Sequence, residues 1–564
     1  MDSRRLILFI ILSVGMLFVW DKLFPQPVPN ASSNVITARG NASDGSSINQ
    51  TNNPNSITNN PNSSGYTIPS QTGQIITVTT DVVTAQISTI GGDIKELSLL
   101  NHGSDNNKTK SYDLLTTKDD RVYVAQTGLV DSTNIELPNH NSLFKTNSLD
   151  YKLNSTDNLI SVPLTFTNSN GIEITKTITF KKGSYVVNVS YQITNPLNTP
   201  IKGVSAYWRL LRDDKTSGMQ SKFVHTFTGV GYYSNETKFN KISFDDIEKN
   251  NFTAPDSLSN GWVGYIQHYF ISMWLLNAYN YTPVCANGVT CRINIKEING
   301  NFSVGVLTDL PQINPHTKYN ISVPLFAGPQ EYNALLYTAP ELERTKDYGW
   351  VYIFSTPLFW LLVKLFGFIQ NWGWSIVALT VIVKLVLYPL TRASYISMAK
   401  MKMLAPKIET LKSSCGDDKV KLQRGMMELY RSEKVNPIGG CLPMLLQIPV
   451  FIGLYWALLS SVELRQASFL WITDLSMPDP YYILPAILAV TMFLQTFMSP
   501  PPADPMQAKM MRIMPVAFSV MFFFFPAGLV VYWLINNTLS ISQQWYVNNH
   551  VTLRHKNKIK NHKA

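Results

Sequence analysis

The chain has 564 residues, of which 45% are hydrophobic and 15% are charged, and its formal net charge is +10. Soluble proteins usually have about 25% charged residues, so the charged fraction of this chain is low for a soluble protein. The apolar residues are unevenly placed. Residues 30–340 have the composition of a soluble domain, whereas residues 345–550 are dominated by Leu, Ile, Val, Phe, Met and Trp. The sequence therefore predicts a polar domain followed by a membrane domain.

The chain begins with an apolar run. Arg4 and Arg5 precede a segment without a charge, Leu6–Trp20. Such a run is typical of a cleaved signal peptide or of an uncleaved anchor. No clear A-x-A cleavage pattern follows, so we predict a transmembrane anchor at residues 1–22. Its basic flank favours a cytosolic N-terminus, and the part that follows is then exported.

The exported part divides into a linker and a β domain. Residues 23–65 are rich in Asn, Ser, Thr, Gly and Pro, a composition that cannot bury a core and is typical of a flexible linker. Residues 66–340 show strand signals. "GIEITKTITF" and "SYVVNVSYQITN" flank the turn "KKG", and "LTFTNSNGIEIT" predicts a second hairpin that turns at Asn170 and Gly171. Few long helical periods appear, so we predict a large β-sandwich.

Two residue types in the β domain are candidates for metal or redox chemistry. Cys285 and Cys291 flank "ANGVT", which we interpret as a hairpin tip. In an exported domain these cysteines can form a disulfide, but the hairpin register decides whether they face each other, so both outcomes stay open. The histidines show no metal-ligand spacing, and we expect surface or packing roles and no metal site for His102, His140, His225, His268 and His316.

Six apolar runs follow in the membrane domain, at 349–369, 372–391, 439–462, 481–499, 513–526 and 528–547. The first two cannot both span, because residues 392–438 would then lie on the exported side with ten Lys or Arg against five acids, against the positive-inside rule. Pro357 and Lys364 also interrupt the first run. We therefore predict an interfacial amphipathic helix at 341–371 and five spans within 372–549, which make six with the anchor.

Lys384 is the only full charge inside the five predicted spans. A charge at the centre of a spanning helix costs roughly 2.5–3.5 kcal/mol by insertion scales. One interpretation is that Lys384 snorkels toward the cytosolic headgroups. A functional interpretation is favoured because Thr380 lies one turn earlier on the same helix face. Gln447, Asn536 and Asn537 are also costly against lipid. We predict that these side chains line a hydrophilic cavity open to the cytosol.

Two basic segments are predicted to be cytosolic. Within residues 393–437, "SMAKMKMLAPKIETLKSSC" and "KVKLQRGMMELYRSE" predict a helical hairpin, and Asp417 or Asp418 can cap its second helix. The hairpin contains Met398, Met401, Met426 and Met427. These methionines either form an apolar side that suits varied partners or pack between the two arms. The tail at 550–564 is strongly basic, which fits contact with anionic lipids or with ribosomal RNA.

Five stretches carry a family resemblance: "NWGWSIVALTVIVKLVLYPLTRASYISMAKMKMLAPKIETLK", "NPIGGCLPMLLQIPVFIGLYW", "SVELRQASF", "DPYYILP" and "FPAGLVVYWLINN". They closely resemble the YidC/Oxa/Alb family, in its Gram-negative YidC form. Over the β domain the resemblance rests on length, position and class. It implies a multi-pass insertase of the bacterial inner membrane with both termini cytosolic. Such a protein is not an enzyme and needs no cofactor or small-molecule substrate. The expected partners are nascent membrane proteins, the Sec translocon, the ribosome and anionic lipids.

The resemblance also implies a fold and a site. The fold is a membrane α-helical bundle, in which a five-helix core surrounds a hydrophilic groove, plus a large periplasmic all-β supersandwich of the sugar-epimerase type. The family's groove charge is typically arginine, and Lys384 stands at that position without the planar five-donor fork. Other groove positions match Thr380, Gln447 and Asn536. Substrate-contact positions match Ile448, Pro449, Phe451, Tyr532 and Trp533.

The implied mechanism is physical insertion. Lys384 attracts acidic residues in the client's exported tail, and the client's apolar helix slides along spans three and five into lipid, driven by roughly 25 cal/mol per Å² of buried apolar surface. No G-x-x-x-x-G-K-[ST] motif is present. Two other classes remain as alternatives. A membrane-anchored carbohydrate-active enzyme needs an acid/base pair in the β domain. A channel or transporter is disfavoured by the lack of internal repeats and intramembrane carboxylates.

Overall fold

The computed structural model describes residues 73–563, apart from 105–108, 133–134, 214–226, 347, 349–350, 417, 434, 436–441 and 499–504. The anchor predicted at 1–22 and the linker predicted at 23–65 lie outside the described residues. Within the described ranges, the chain forms a β domain followed by a helical bundle. The β-sandwich and the helical membrane part that the sequence predicts are thereby confirmed at the level of fold class.

Strands form where β-branched and aromatic residues alternate with polar ones, which suits a pleated surface buried on one side. In "EITKTITFK", for example, exposed or half-buried side chains alternate with buried ones. The strands in the described part are β1 (Ile75–Thr79), β2 (Val83–Ser88), β3 (Ile94–Gly103), β4 (Ser111–Leu115), β5 (Tyr123–Asp131), β6 (Asp150–Lys152), β7 (Leu159–Thr167), β8 (Glu173–Lys181), β9 (Val186–Thr194), β10 (Val204–Arg212), β11 (Gly229–Tyr233), β12 (Asn240–Ser243), β13 (Trp262–Gln267), β14 (Phe270–Leu275), β15 (Thr290–Ile298), β16 (Asn301–Asp309) and β17 (Lys318–Pro329).

The strands pair into two sheets that share one core. One sheet has the order β15-β16-β10-β5-β3-β2-β1-β6, with β4 paired to β3, and the other has the order β12-β11-β13-β14-β17-β9-β8-β7. Aromatic rings join the sheets across the core, since the ring of Trp208 on β10 lies 5.6 Å from Tyr191 on β9 and 5.9 Å from Trp274 on β14. Both predicted hairpins, β7–β8 and β8–β9, are antiparallel pairs. Gly171 adopts a φ of 78° at the first turn, a conformation that glycine reaches without steric cost.

The two cysteines of the β domain are joined by a disulfide, with the Cα atoms of Cys285 and Cys291 5.7 Å apart. Cys291 lies in β15, but Cys285 lies in the loop before that strand. The bridge therefore closes a turn that leads into one strand, and it does not link two paired strands as a hairpin tip would.

The helices of the described part are α1 (Phe244–Glu248), α2 (Tyr332–Leu336), α3 (Tyr352–Ile369), α4 (Trp372–Met403), α5 (Ala405–Cys415), α6 (Lys419–Ser432), α7 (Leu442–Leu459), α8 (Ile483–Thr496), α9 (Pro505–Ser519) and α10 (Ala527–Lys563). In the bundle, α4 packs against α3 and α10, α10 packs against α8, and α8 packs against α9. Helix α7 packs mainly against α3, and α6 packs against α5.

The helical hairpin that the sequence predicts at 393–437 begins later in the structure. Helix α4 continues through the predicted boundary at 393 and ends at Met403. A new helix, α5, then starts with Pro406 in its first turn, where a missing N–H is tolerated. The second arm begins as expected, because the Asp418 carboxylate accepts hydrogen bonds from the N–H groups of Val420 and Lys421, both at 3.0 Å. The hairpin of the structure is thus α5 and α6.

The last helices also differ from the predicted spans. Helix α9 starts at Pro505, before the span predicted at 513–526, and gives way to a 3₁₀ turn, Val520–Phe524. Helix α10 runs on through most of the tail predicted at 550–564. Two described helices, α3 and α4, are long and apolar enough to cross a membrane. The exposed residues of α3 are mainly apolar, and Lys364 is its single charge. This pattern does not distinguish a spanning helix from an interfacial one, so the interfacial position of α3 stays a prediction.

Candidate functional site

Lys384 is half-buried on α4, and its ammonium group is held by α10. The Nζ atom donates a hydrogen bond of 2.8 Å to the Ser540 hydroxyl. That hydroxyl donates in turn to the carbonyl oxygen of Asn536 at 2.7 Å, one turn earlier on α10. Tyr395, buried further along α4, contacts the same hydroxyl. Among the described residues, no Asp or Glu forms an ion pair with Lys384.

A second polar contact joins α7 to α10. The side-chain amide of Gln447 donates to the Tyr532 hydroxyl at 2.7 Å. Tyr532 is buried, whereas Gln447 is half-buried. The sequence singles out both residues but not the bond between them. A buried amide or hydroxyl without a partner is costly, so this bond stabilises the approach of the two helices.

The partners on α10 lie along one face, and we call Tyr532, Asn536, Ser540 and Gln543 the polar stripe. The first three are four residues apart, the spacing that aligns side chains on a helix. From Tyr532 to Ser540 the stripe is about 12 Å long at 1.5 Å per residue. Gln543 extends it by donating to the Thr391 hydroxyl of α4 at 2.8 Å. The polar residues of α4 and α7 therefore meet on the same face of α10.

Two predicted groove residues take positions that the sequence does not reveal. Thr380 is 1% exposed, and its hydroxyl donates to the Ile376 carbonyl of its own helix at 2.7 Å. The structure thus places it one turn from Lys384 but bonded to its own backbone. Asn536 is buried on the polar stripe, while its neighbour Asn537 donates to Thr491 of α8 at 2.9 Å.

Three of the five predicted substrate-contact residues, Ile448, Pro449 and Phe451, lie on α7, and we call them the apolar wall. Ile448 has 47% of its surface exposed, and Pro449 is half-buried inside α7. The rings of Phe451 and Trp533 meet edge to face, 4.3 Å apart, and so connect α7 with α10. Tyr532 belongs to the polar contact with Gln447 and is buried. Ile448 is therefore the most accessible of the five residues.

The four predicted hairpin methionines lie on two different helices. Met398 and Met401 are half-buried near the end of α4. Met426 is half-buried on α6, and its neighbour Met427 is 66% exposed. Met427 is thus the member of the set that offers apolar surface to a partner.

Several polar residues of the site escape sequence reasoning. Ser540 and Gln543 of α10 hold α4 through Lys384 and Thr391. The sequence signal for Ser540 and Gln543 is the spacing of four and then three residues that continues from Asn536. At the end of α8, the carbonyl oxygen of Phe497 accepts a hydrogen bond from the Lys402 ammonium at 3.2 Å. A cation favours the C-terminal end of a helix because the carbonyl dipoles point there.

Comparisons with known proteins cover both parts of the chain. The family described as "60Kd inner membrane protein" matches residues 364–556, and the "YidC periplasmic domain" family matches residues 75–361. The "Membrane protein insertase YidC" of Laribacter hongkongensis is 50% identical over 554 residues, 98% of each chain. The protein of that name from Methylobacillus flagellatus is 44% identical over 557 residues, 97% of each chain. A crystal structure of an active YidC insertase is 19% identical, covers 84% of this chain and 93% of its own, and has a TM-score of 0.39.

Proposed function

This chain belongs to the YidC family of membrane protein insertases, and on that premise we propose that it receives its clients at Lys384, beside the polar stripe of α10. Its function is membrane protein insertion, nascent membrane proteins are its substrates, and it is not an enzyme. Family membership also makes it an inner-membrane protein with a periplasmic domain.

The observation that carries the proposal is the neutral partner of Lys384. A lysine paired with a carboxylate inside the bundle would have its charge compensated, but the described partner of Lys384 is a hydroxyl. Its positive charge therefore remains available for an acidic residue of the client. At 4 Å and an effective dielectric constant of 20, such a pair attracts with about 4 kcal/mol. That attraction offsets part of the cost of moving an acidic tail into the bundle.

Exposed apolar surface beside the polar stripe supports a route into lipid. Ile448 on α7 is 47% exposed, and Ile513 and Phe518 on α9 are 54% and 42% exposed. The rings of Phe451 and Phe518 both contact Trp533 of α10. The client helix leaves along α7 and α9, as the sequence predicts for spans three and five. Transfer of each large apolar side chain from water contributes about 1.5–3 kcal/mol.

We further propose six spans, cytosolic termini and a β-supersandwich class for the periplasmic domain. The cytosolic position of α5 and α6 is supported by exposed basic residues such as Lys412, Lys421 and Arg424. Helix α3 is proposed to lie at the periplasmic interface. The Sec translocon, the ribosome and anionic lipids are proposed partners, the last two through the basic tail.

The proposal is tested by replacing Lys384 in cells depleted of their native insertase. The client is a small single-span protein with an acidic exported tail. We expect Lys384→Arg to insert it nearly normally, Lys384→Ala to lose about tenfold in rate, and Lys384→Glu to lose more, because 1.4 kcal/mol corresponds to a factor of about ten.

Lys364→Ala is the matched control, since Lys364 is an exposed lysine of α3. It should insert the client at the wild-type rate. Normal insertion by folded Lys384→Ala would show that Lys384 only snorkels or hydrates the groove, and the receiving role would be abandoned for that client.

A further inference from the structure

The turn that follows α7 lies against the β domain, and we call residues 461–466 the clamp turn. Val462, at 2% exposed, belongs to the same buried cluster as the β-sandwich core. Just before the turn, the last carbonyl oxygen of α7, that of Leu459, lies 3.0 Å from Nε2 of His268, a β-domain residue. The end of α7 is therefore in direct contact with the β domain.

Glu463 is the central residue of the clamp turn. Its carboxylate accepts hydrogen bonds from the Lys346 ammonium at 3.0 and 3.1 Å and from the backbone N–H of Tyr332 at 3.1 Å. Lys346 and Tyr332 stand at the two ends of the segment that joins β17 to α3. The Lys346 side chain is fully buried, the Glu463 side chain is 13% exposed, and the ammonium lies 4.3 Å from the ring centre of Phe359 on α3. One ion pair thus connects the bundle with the segment that joins β17 to α3.

Two further residues of the clamp turn contact the β domain directly. The guanidinium group of Arg465 lies over the rings of Tyr112 and Phe270, 5.5 and 5.7 Å from their centres. The side-chain oxygen of Gln466 accepts a hydrogen bond from the N–H of Gly103 at 3.3 Å. The clamp turn is therefore held by charge, by ring contacts and by backbone hydrogen bonding together.

The helix fastened by this turn is the one that carries Gln447 and Ile448. From Leu459 back to Gln447 is about 18 Å along the helix at 1.5 Å per residue. Buried Leu454 and Ala457 lie between them in the bundle core. Gln447 and Leu459 belong to one continuous helix, although Pro449 lies between them. Displacement of the end at Leu459 is therefore passed along α7 toward Gln447 and its contact with Tyr532.

We propose that Lys346 and Glu463 are positioning residues for insertion: their ion pair fixes α7 to the β domain and so sets the position of the apolar wall against α10. This inference rests on the proposed function. It gives the β domain a part in the insertion step through the position of α7.

The test uses the full-length chain in proteoliposomes with the single-span client. Lys346→Met and Glu463→Gln are made singly and together, and a photo-crosslinker at position 448 reports client contact. We expect each single variant to lower insertion per molecule and cross-linking about tenfold, because it leaves a buried charge without its partner. The double variant should be less impaired than the product of the two single effects, since both act through one contact.

Three readouts separate positioning from folding. The amount of protein, the protease resistance of the β domain and insertion per molecule are measured for each variant. Arg292→Met is the control, because it breaks an exposed ion pair with Asp309, 2.8 Å long, in the same domain. That variant should change none of the readouts. Arg465→Leu tests the clamp turn without leaving a buried charge, and it should lower cross-linking severalfold with the β domain intact.

Unchanged insertion per molecule by a protease-resistant Lys346→Met chain would overturn the proposal. So would a loss fully explained by lower abundance. The outcome is distinguishable from failure of the proposed function. If Lys384→Ala inserts the client normally while Lys346→Met fails, the positioning role of the ion pair is supported and the receiving role of Lys384 is rejected. If only Lys384→Ala fails, the clamp is wrong.

Discussion

His140 links the stability of the periplasmic domain to pH at the scale of one residue. Its Nδ1 atom lies 2.8 Å from the Tyr207 hydroxyl. Burial, followed by the positive charge of Arg209, lowers the pKa of the His140 imidazole to about 4. In the unfolded chain a histidine titrates near pH 6.5, so the unfolded state binds more protons than the folded state between these values.

Stability should therefore fall as the pH falls from about 6.5 to about 4, by up to about 3 kcal/mol from this residue. Well above pH 6.5 the histidine is neutral in both states and has no effect on the slope. We expect His140→Gln to remove this part of the pH dependence of the denaturant midpoint of the β domain, measured in the full chain. His316→Gln, at an exposed loop position, should keep it. Equal slopes for wild type and His140→Gln would refute this account.

At the same scale, sequence reasoning finds Lys384 but not its partner. A full charge in an apolar run is conspicuous because its burial is costly. Ser540 carries no such signal, because a serine in an apolar helix can bond to its own helix backbone. Only the packing of α4 against α10 shows that the Ser540 hydroxyl accepts a hydrogen bond from the Lys384 ammonium. For Thr380, the sequence predicts a position beside Lys384 in the groove, but its hydroxyl donates to the Ile376 carbonyl of its own helix.

At the scale of elements, the start of α4 depends on a glycine. A Cβ atom at Gly373 would lie 2.0 Å from the ring of Phe469. Phe469 is buried, and in the sequence it lies between α7 and α8. A Cβ at Gly367 of α3 would meet nothing within 4 Å. The two glycines therefore form a matched pair in neighbouring helices.

We expect Gly373→Ala to lower the free energy of unfolding of the bundle by about 1–3 kcal/mol through overpacking. Gly367→Ala should be neutral or stabilising by about 0.5–1 kcal/mol, because alanine is the better helix former. Thermal unfolding of both purified full-length variants measures the difference. An unchanged midpoint in Gly373→Ala would mean that the ring of Phe469 moves aside without cost.

Hydropathy predicts the existence of the bundle helices better than their ends. Helix α4 continues past 391 into polar sequence and ends just before Pro406, where the backbone cannot donate. Helix α10 contains no proline from Ala527 to Lys563, so it continues into the basic tail. Helix ends depend on caps and breakers, whereas the hydropathy of a window reports only which residues are apolar.

At the scale of the whole molecule, the sequence separates a β domain from a bundle but does not predict how they join. Lys346 and Glu463 are 117 residues apart, and no periodic pattern connects them. "SVELRQASF" stands out only by family resemblance. The clamp turn shows why such a stretch is polar: its side chains bind the β domain, whereas the flanking helices α7 and α8 pack against other helices of the bundle.

The central claim at this scale is that the whole chain uses one positive charge to receive acidic clients. The most direct test reverses the charge at position 384 and the charge of the client tail, in purified proteoliposomes. The membrane potential is held at zero, because 100 mV would change the free energy of moving the tail across the membrane by about 2.3 kcal/mol per charge. Insertion rates are measured for wild type and Lys384→Glu, each with an acidic-tailed and a basic-tailed version of one client. We predict that wild type prefers the acidic tail and that Lys384→Glu prefers the basic tail. Equal impairment of both clients by Lys384→Glu would contradict the claim and leave Lys384 with a structural or hydrating role.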